Sequence, residues 1–175
     1  IIFSRRYNTI MTGKNEAYIK RLAEEIKGIK TAMVTTIGLD GLFRSRPMIA
    51  QKHEFDGHLW FFSHLSDEKI KEVKNDNRVG VTFVSPVNNN WVAISGTAEV
   101  LNDKETMAKM WHSELKKWFP HEINEPDIAL LKITAHKGEY WEANQGVIVQ
   151  LIELFVEVSQ NSNYQVTKHE NLNLD

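Results

Sequence analysis

The chain has 175 residues, 42% of them hydrophobic and 25% charged, which suits one globular domain with a substantial core and leaves little room for a second. A formal net charge of −2 at pH 7 gives no overall attraction to nucleic acid or to an anionic membrane, and neither is expected as a partner. With no cysteine, disulfides, thiolate metal sites and cysteine nucleophiles are excluded; no apolar run reaches membrane-span length, and the cytoplasm is the expected location.

Residues 1 to 13 show no periodicity and are expected to form a flexible N-terminal tail. From Lys14 onward Tyr18, Leu22 and Ile26 recur at helical spacing, with Ile19 beside them, and Gly28 supplies a stop. TAMVTTIG is rich in β-branched residues, and Leu39-Asp40-Gly41 turns it into LFRSRPMIAQKHEF as a hairpin. A second turn at Asp56-Gly57 leads into HLWFFS, and three strands joined so tightly predict antiparallel pairing. Ser66 is read as the N-cap of SDEKIKEVKNDN, with Asp67 and Glu68 in the first turn and Ile70 and Val73 facing inward. VGVTFVS and WVAISGTAEVL are two more strands around a polar loop from Pro86 to Asn90, and Gly96 signals a bend or bulge. Asp103 opens a helix in which Met107, Trp111, Leu115 and Trp118 share one face, ended by Pro120. IALLKITAHKGEYWE reads as two short strands. VIVQLIELFVEV is assigned to a terminal helix on its length, although its periodicity also admits a strand. Residues 159 to 175 form a polar C-terminal tail in which Leu172 and Leu174 can dock. The expected domain spans residues 14 to 158 and is mainly β: six or seven short antiparallel strands with inserted helices, in a closed or nearly closed barrel.

The chemistry concentrates between Leu42 and Lys69. In a strand, Arg44, Arg46, Met48 and Ala50 face one way and Phe43, Ser45, Pro47 and Ile49 the other. Two guanidinium groups on one sheet face suit a phosphate, or equally pair with acids such as Glu54 or Glu99. Pro47 cannot donate to a ladder and marks an edge or a ligand site. Lys69, in the first turn of its helix, is an anion ligand if Asp67 and Glu68 turn outward and a surface lysine otherwise. Trp60-Phe61-Phe62 places aromatics on both faces of its strand, so at least one is core. Trp111 and Trp118 are core residues, or they flank a planar ring or fill a subunit interface. The seven histidines are scattered without metal-ligand spacing, and dinucleotide-fold, P-loop and nucleophile-elbow motifs are missing, so no metal is expected.

The ordered set RSRPM, LWFFS, SDEKIKEVKNDNRVGVTF, ISGTAEVLND, MWHSELKKWFP and IALLKITAHKGEYWE resembles the general stress protein 26 group of the pyridoxamine 5′-phosphate oxidase-like family over about residues 16 to 145. That resemblance implies an FMN-binding split β-barrel, a homodimer with flavin at the subunit interface. It makes Arg46 and Lys69 the phosphate ligands, assisted by Ser63 and Ser66, with Arg44 and Ser45 counted in the same motif. Pro47 and Met48 would run beside the flavin, Phe61 and Phe62 approach its ring, and Trp111 and Trp118 cap the pocket or come from the partner chain. The family's true oxidases carry substrate-binding arginines near the C-terminus, whereas this sequence has none after Arg78, so oxidation of a pyridoxal vitamer is not expected. The implied function is an FMN-dependent oxidoreductase of the stress-protein type acting on an unknown small substrate; the alternative is a flavin carrier or stress sensor without turnover. No side chain is identified as catalytic.

Overall fold

Alternating burial along successive strands builds the architecture of the computed structural model, which describes residues 13–51, 53–85, 90–144, 147–149 and 171–173. Helix α1 (Gly13–Ile26) precedes strands β1 (Thr31–Ile37), β2 (Phe43–Ile49) and β3 (His58–His64). Helix α2 (Glu68–Asn75), strands β4 (Arg78–Ser85) and β5 (Asn90–Leu101), helix α3 (Lys104–Met110), two 3₁₀ turns (Ser113–Lys117 and Glu122–Asn124) and strand β6 (Ile128–Asn144) follow. All strand pairs are antiparallel, in the order β2-β1-β4-β5-β6-β3. This is the predicted mainly-β barrel with inserted helices, curled but split: β2 and β3 are its two edges. They are bridged just past the end of β2, where the Gln51 N–H donates to the Trp60 carbonyl at 3.3 Å.

Both predicted glycine turns carry their glycine in the left-handed region, Gly41 at φ +78° in the β1–β2 hairpin and Gly57 at φ +100° ahead of β3, where a β-carbon would be strained. Inside the barrel, Ala32 and Val34 of β1, Val79, Val81 and Phe83 of β4, Val92 and Ile94 of β5 and Leu131 and Ile133 of β6 form one core, closed by Leu22 of α1. A second cluster lies where α3 and the first 3₁₀ turn cover β3 and β6, uniting Phe62, Met107, Leu115, Phe119, Ile128 and Leu130.

Four readings of the sequence are corrected by this architecture. The three strands expected to pair in succession do not: residues 50 to 57 separate β2 from β3, and β3 crosses to pair with β6, leaving β2 and β3 as opposite edges. The two short strands expected at the end are one strand of 17 residues, β6. Its pairing with β5 slips between Ser95 and Gly96, where Ala135 faces Gly96 and Lys137 faces Ser95. The extra residue, His136, shifts burial in β6 from Leu131, Ile133 and Ala135 to Gly138 and Tyr140, and that loss of phase mimics a strand end. Gly96 is therefore a bulge position, as expected, and a β-carbon there would collide with the Thr134 carbonyl oxygen. The helix expected from Asp103 to Pro120 breaks at Trp111 and His112, whose backbone is extended, and resumes as the 3₁₀ turn. After the break the second half presents Phe119 rather than Trp118 to the sheet: Met107, Leu115 and Phe119 are buried, whereas Trp118, which a continuous helix would keep in line with Met107, is half exposed. The terminal helix is overturned at its start, where Val147–Val149 forms a short strand, β7, on β6; the remainder, residues 150 to 158, lies outside the described residues. Gly13 belongs to α1, and Asn171–Asn173, within the predicted polar tail, pairs with β6 as strand β8. Residues 1 to 12 lie outside the described residues. Among the described residues no helix is long and apolar enough to cross a membrane, and no cluster of potential metal ligands occurs.

Candidate functional site at the split of the barrel

A cleft of about 260 Å³ opens where the two edge strands face each other. Arg46, Pro47, Met48 and Ile49 line it from β2, and Phe62, Ser63 and His64 from β3. Asp67 and Lys69 enter from the start of α2, and Leu115, Trp118 and Phe119 close the far wall. The position follows from the topology: an edge strand has an unpartnered side, and here two such sides meet around a cavity.

Arg46 is held from behind. Its Nη1 and Nη2 donate to the two carboxylate oxygens of Glu72 at 2.9 Å each, and Nη1 also donates to the Thr36 hydroxyl at 2.9 Å. Thr36 in turn donates to Glu72 at 2.5 Å. Glu72 is 3% exposed, and the Arg46 bonds, against the opposing effect of burial and with help from Thr36, hold its carboxyl below the ordinary value. Alternation put Arg44 and Arg46 on one face, as expected, but their acid partners are Asp40 and Glu72. Glu99 pairs instead with Lys132, and Glu54 has no part in the network.

Lys69 donates to the Ser63 hydroxyl at 3.1 Å and to the Asp67 carboxylate. Of the two acids whose outward turn was the condition for Lys69 as an anion ligand, Glu68 is 80% exposed but Asp67 turns inward, and Lys69 is nonetheless no surface lysine, its side chain being 14% exposed. Asp67, not Ser66, is the N-cap residue of α2, because Ser66 is pinned elsewhere. Its amide donates to Asp127 at 3.0 Å, and its hydroxyl donates to the same carboxylate at 2.5 Å.

The cleft brings together Arg46, Pro47, Met48, Phe62, Ser63, Lys69 and Trp118 of the predicted residues. It leaves out five. The Arg44 guanidinium is drawn away by two bonds to Asp40 at 2.9 Å, and Ser45 points to the outer face, where it shares a 2.7 Å hydrogen bond with Thr35. Phe61 is fully buried in the barrel core, and Ser66 is occupied by Asp127. Trp111 lies behind the wall, edge-on to Phe62 with centroids 5.5 Å apart. Trp118 is half exposed at the rim, whereas Phe119, which the sequence did not single out, is buried and stacks at 4.6 Å on His64. His64 also faces Asp127 at 3.7 Å. Ile49, His64, Asp67, Leu115 and Phe119 were missed as lining, and Glu72 and Thr36 as support. Position next to Ser63 is the signal that could have found His64. Nothing local marks Glu72, whose partner lies 26 residues away.

Residues 17–165 match the family model described as Pyridoxamine 5′-phosphate oxidase like. Protein bli-3 of Neurospora crassa is 28% identical over 103 residues, 58% of this chain and 49% of that protein, so the match spans about half the length of the relative. Among solved structures, a Clostridium acetobutylicum protein described as related to general stress protein 26 of the pyridoxinephosphate oxidase family is 25% identical. It superimposes with TM-score 0.64 over 73% of this chain and 89% of that one. The general stress FMN/FAD binding protein of Xanthomonas citri, 22% identical with TM-score 0.64 over 83% and 99% of the two chains, shares the fold.

Proposed function

Because the chain belongs to the pyridoxamine 5′-phosphate oxidase-like family, we propose that its split-barrel cleft holds a flavin, FMN, by the phosphate, and that it works as a flavin-dependent oxidoreductase on a small substrate. The observation that carries this reading is the meeting of Arg46, Lys69 and Ser63 on one apolar-walled cleft. A guanidinium fork, an ammonium and a hydroxyl match the donor set a phosphate monoester accepts. Met48, Phe62 and Trp118 offer the apolar surface a flat ring needs. Arg46 and Lys69 would hold the phosphate, and the β2 and β3 lips would orient the ring and exclude water from one side. Bound flavin supplies reversible electron acceptance, while the protein contributes position and electrostatics.

The partner we propose is a second copy of the chain. Trp118 is half exposed at the rim of the cleft, and β1 and the β1–β2 hairpin carry further exposed apolar residues: Phe43 at 78%, Leu39, Leu42 and Met33. A homodimer would cover them.

One observation favours the alternative of a flavin carrier without turnover. The ionisable groups at the cleft are engaged with one another: Arg46 with Glu72, Lys69 with Asp67, and His64 with Asp127. The purified protein's visible absorption spectrum, with and without added FMN, tests the flavin. A colourless protein that takes up no FMN refutes both readings. Stopped-flow mixing with NADPH and with NADH separates them, since bleaching of bound flavin supports the oxidoreductase and its absence with both donors supports the carrier.

A further inference from the structure

The Asp67 carboxylate occupies the seat an anion would take. One of its oxygens accepts from the Ser63 hydroxyl at 2.7 Å, from the His64 main-chain N–H at 3.1 Å and from the Lys69 ammonium. Ser63 is buried, and Lys69 is largely so. A hydroxyl, an amide and a cation from two elements thus converge on a single oxygen, as donors do on an oxygen of a bound phosphate. Burial alone would push the Asp67 carboxyl up, but the bonds from Lys69 and Ser63 outweigh it and hold the group below its ordinary value, so the seat is filled by a charge at neutral pH.

Asp67 has a second place to go. It is the N-cap of α2, yet its side chain makes no capping bond; the Ile70 N–H is taken by the Asp67 main-chain carbonyl at 3.0 Å. Asp103 occupies the same position on α3 and does cap, accepting from the Thr106 N–H at 2.8 Å. The same residue type in the same role therefore adopts two orientations in one chain, and the one at α2 gives up its cap to face the cleft.

We propose that Asp67 is a resident anion that stands in for the ligand's phosphate. Before the ligand enters, it keeps Lys69 and Ser63 satisfied and oriented; when a phosphate group arrives, the carboxylate leaves its three donors and turns to the N-terminus of α2. The inference rests on the phosphate reading given above. Its consequence is that every phosphate-bearing ligand pays the displacement of Asp67, whereas a ligand lacking phosphate does not.

The test is equilibrium binding to the flavin-free full chain, followed by flavin fluorescence, with FMN, with riboflavin, and with inorganic phosphate as competitor of FMN. Asp67→Asn removes the resident charge, and Asp67→Ser removes the carboxylate while keeping a capping hydroxyl. Both are expected to bind FMN and phosphate about tenfold more tightly, the scale of one hydrogen bond to a charged group, with riboflavin affinity unchanged. Equal or weaker FMN affinity in both variants, or an equal gain for riboflavin, overturns the proposal. Lys69→Ala separates the two levels. If it binds FMN as tightly as the natural chain, the phosphate seat itself is wrong; if it loses FMN while the Asp67 variants gain nothing, only the role of Asp67 falls.

Discussion

Replacing Glu72 by glutamine tests whether a buried acid holds the β2 cation in place. The Glu72 side chain is 4% exposed and accepts two bonds from Arg46 and one from Thr36, whereas the Arg46 side chain is 26% exposed. A hydrogen bond to a charged group contributes about 1.5–3 kcal/mol. Glutamine keeps one acceptor oxygen but loses the charge and one guanidinium bond, and water screens part of the pair on the Arg46 side. The expected cost is about 2–3 kcal/mol. At this chain length 1 kcal/mol moves Tm by about 2–4 °C, so Glu72→Gln should melt roughly 4–12 °C lower at pH 7 in calorimetry. The pH dependence carries the sharper check. Glu72 has a carboxyl value depressed below 4.5 on folding, so its stabilisation is complete above the unfolded-state value and is lost as pH falls through the folded-state one. The Tm gap should be constant near neutrality and close below about pH 4.5. No gap at pH 7, or one that persists unchanged into acid, refutes the assignment of Glu72 as the charged anchor of Arg46.

Other expectations follow from the same geometry. Arg46→Ala should weaken FMN binding by about 1.5–3 kcal/mol in isothermal titration, as one charge-assisted contact is lost; unchanged affinity removes Arg46 from the phosphate site. Gly96→Ala should destabilise the fold by about 1–3 kcal/mol in chemical denaturation, because the new methyl has to displace the Thr134 carbonyl at the bulge. Phe43→Glu should convert a dimer to a monomer in light scattering while leaving monomer stability within about 0.5 kcal/mol, since the ring is 78% exposed. A dimer that survives the charge places its interface elsewhere.

What the sequence disclosed was local and periodic. Alternation put Arg44 and Arg46 on one face, Gly41 located the β1–β2 hairpin and Gly57 the turn before β3, and Gly96 announced the bulge, but the turn at Gly57 did not reveal that β3 leaves β2 to pair with β6. What it hid came from distant pairing. Arg44 and Arg46 have identical local patterns, yet Arg44 is bonded to Asp40 on the hairpin and only lies 3.8 Å from Glu72, whereas Arg46 makes both of its carboxylate bonds to Glu72 on α2, so tertiary placement separates the cleft residue from the other. The tryptophan segment has helical periodicity throughout, yet its backbone is extended at Trp111 and His112, and Phe119 rather than Trp118 is buried after the break. In β6, one inserted residue reverses the alternation and disguises a long strand as two. Asp67 carries a first-turn signature, and only the geometry reveals that it faces Ser63 and Lys69.

The split between β2 and β3 also bears on the order in which the molecule assembles. Strand β1 meets β2 across a short hairpin, whereas β3 finds its partner only on β6, with His58 opposite Thr134 and Leu59 opposite Ile133. Closing so long a loop costs chain entropy before any contact repays it, which makes this pairing a late event in folding. One lip of the cleft is thus set early and the other last. A molecule seated across the split has no complete site to grip until the barrel is already formed, so it extends the lifetime of the native state by slowing unfolding and leaves the rate of folding almost untouched.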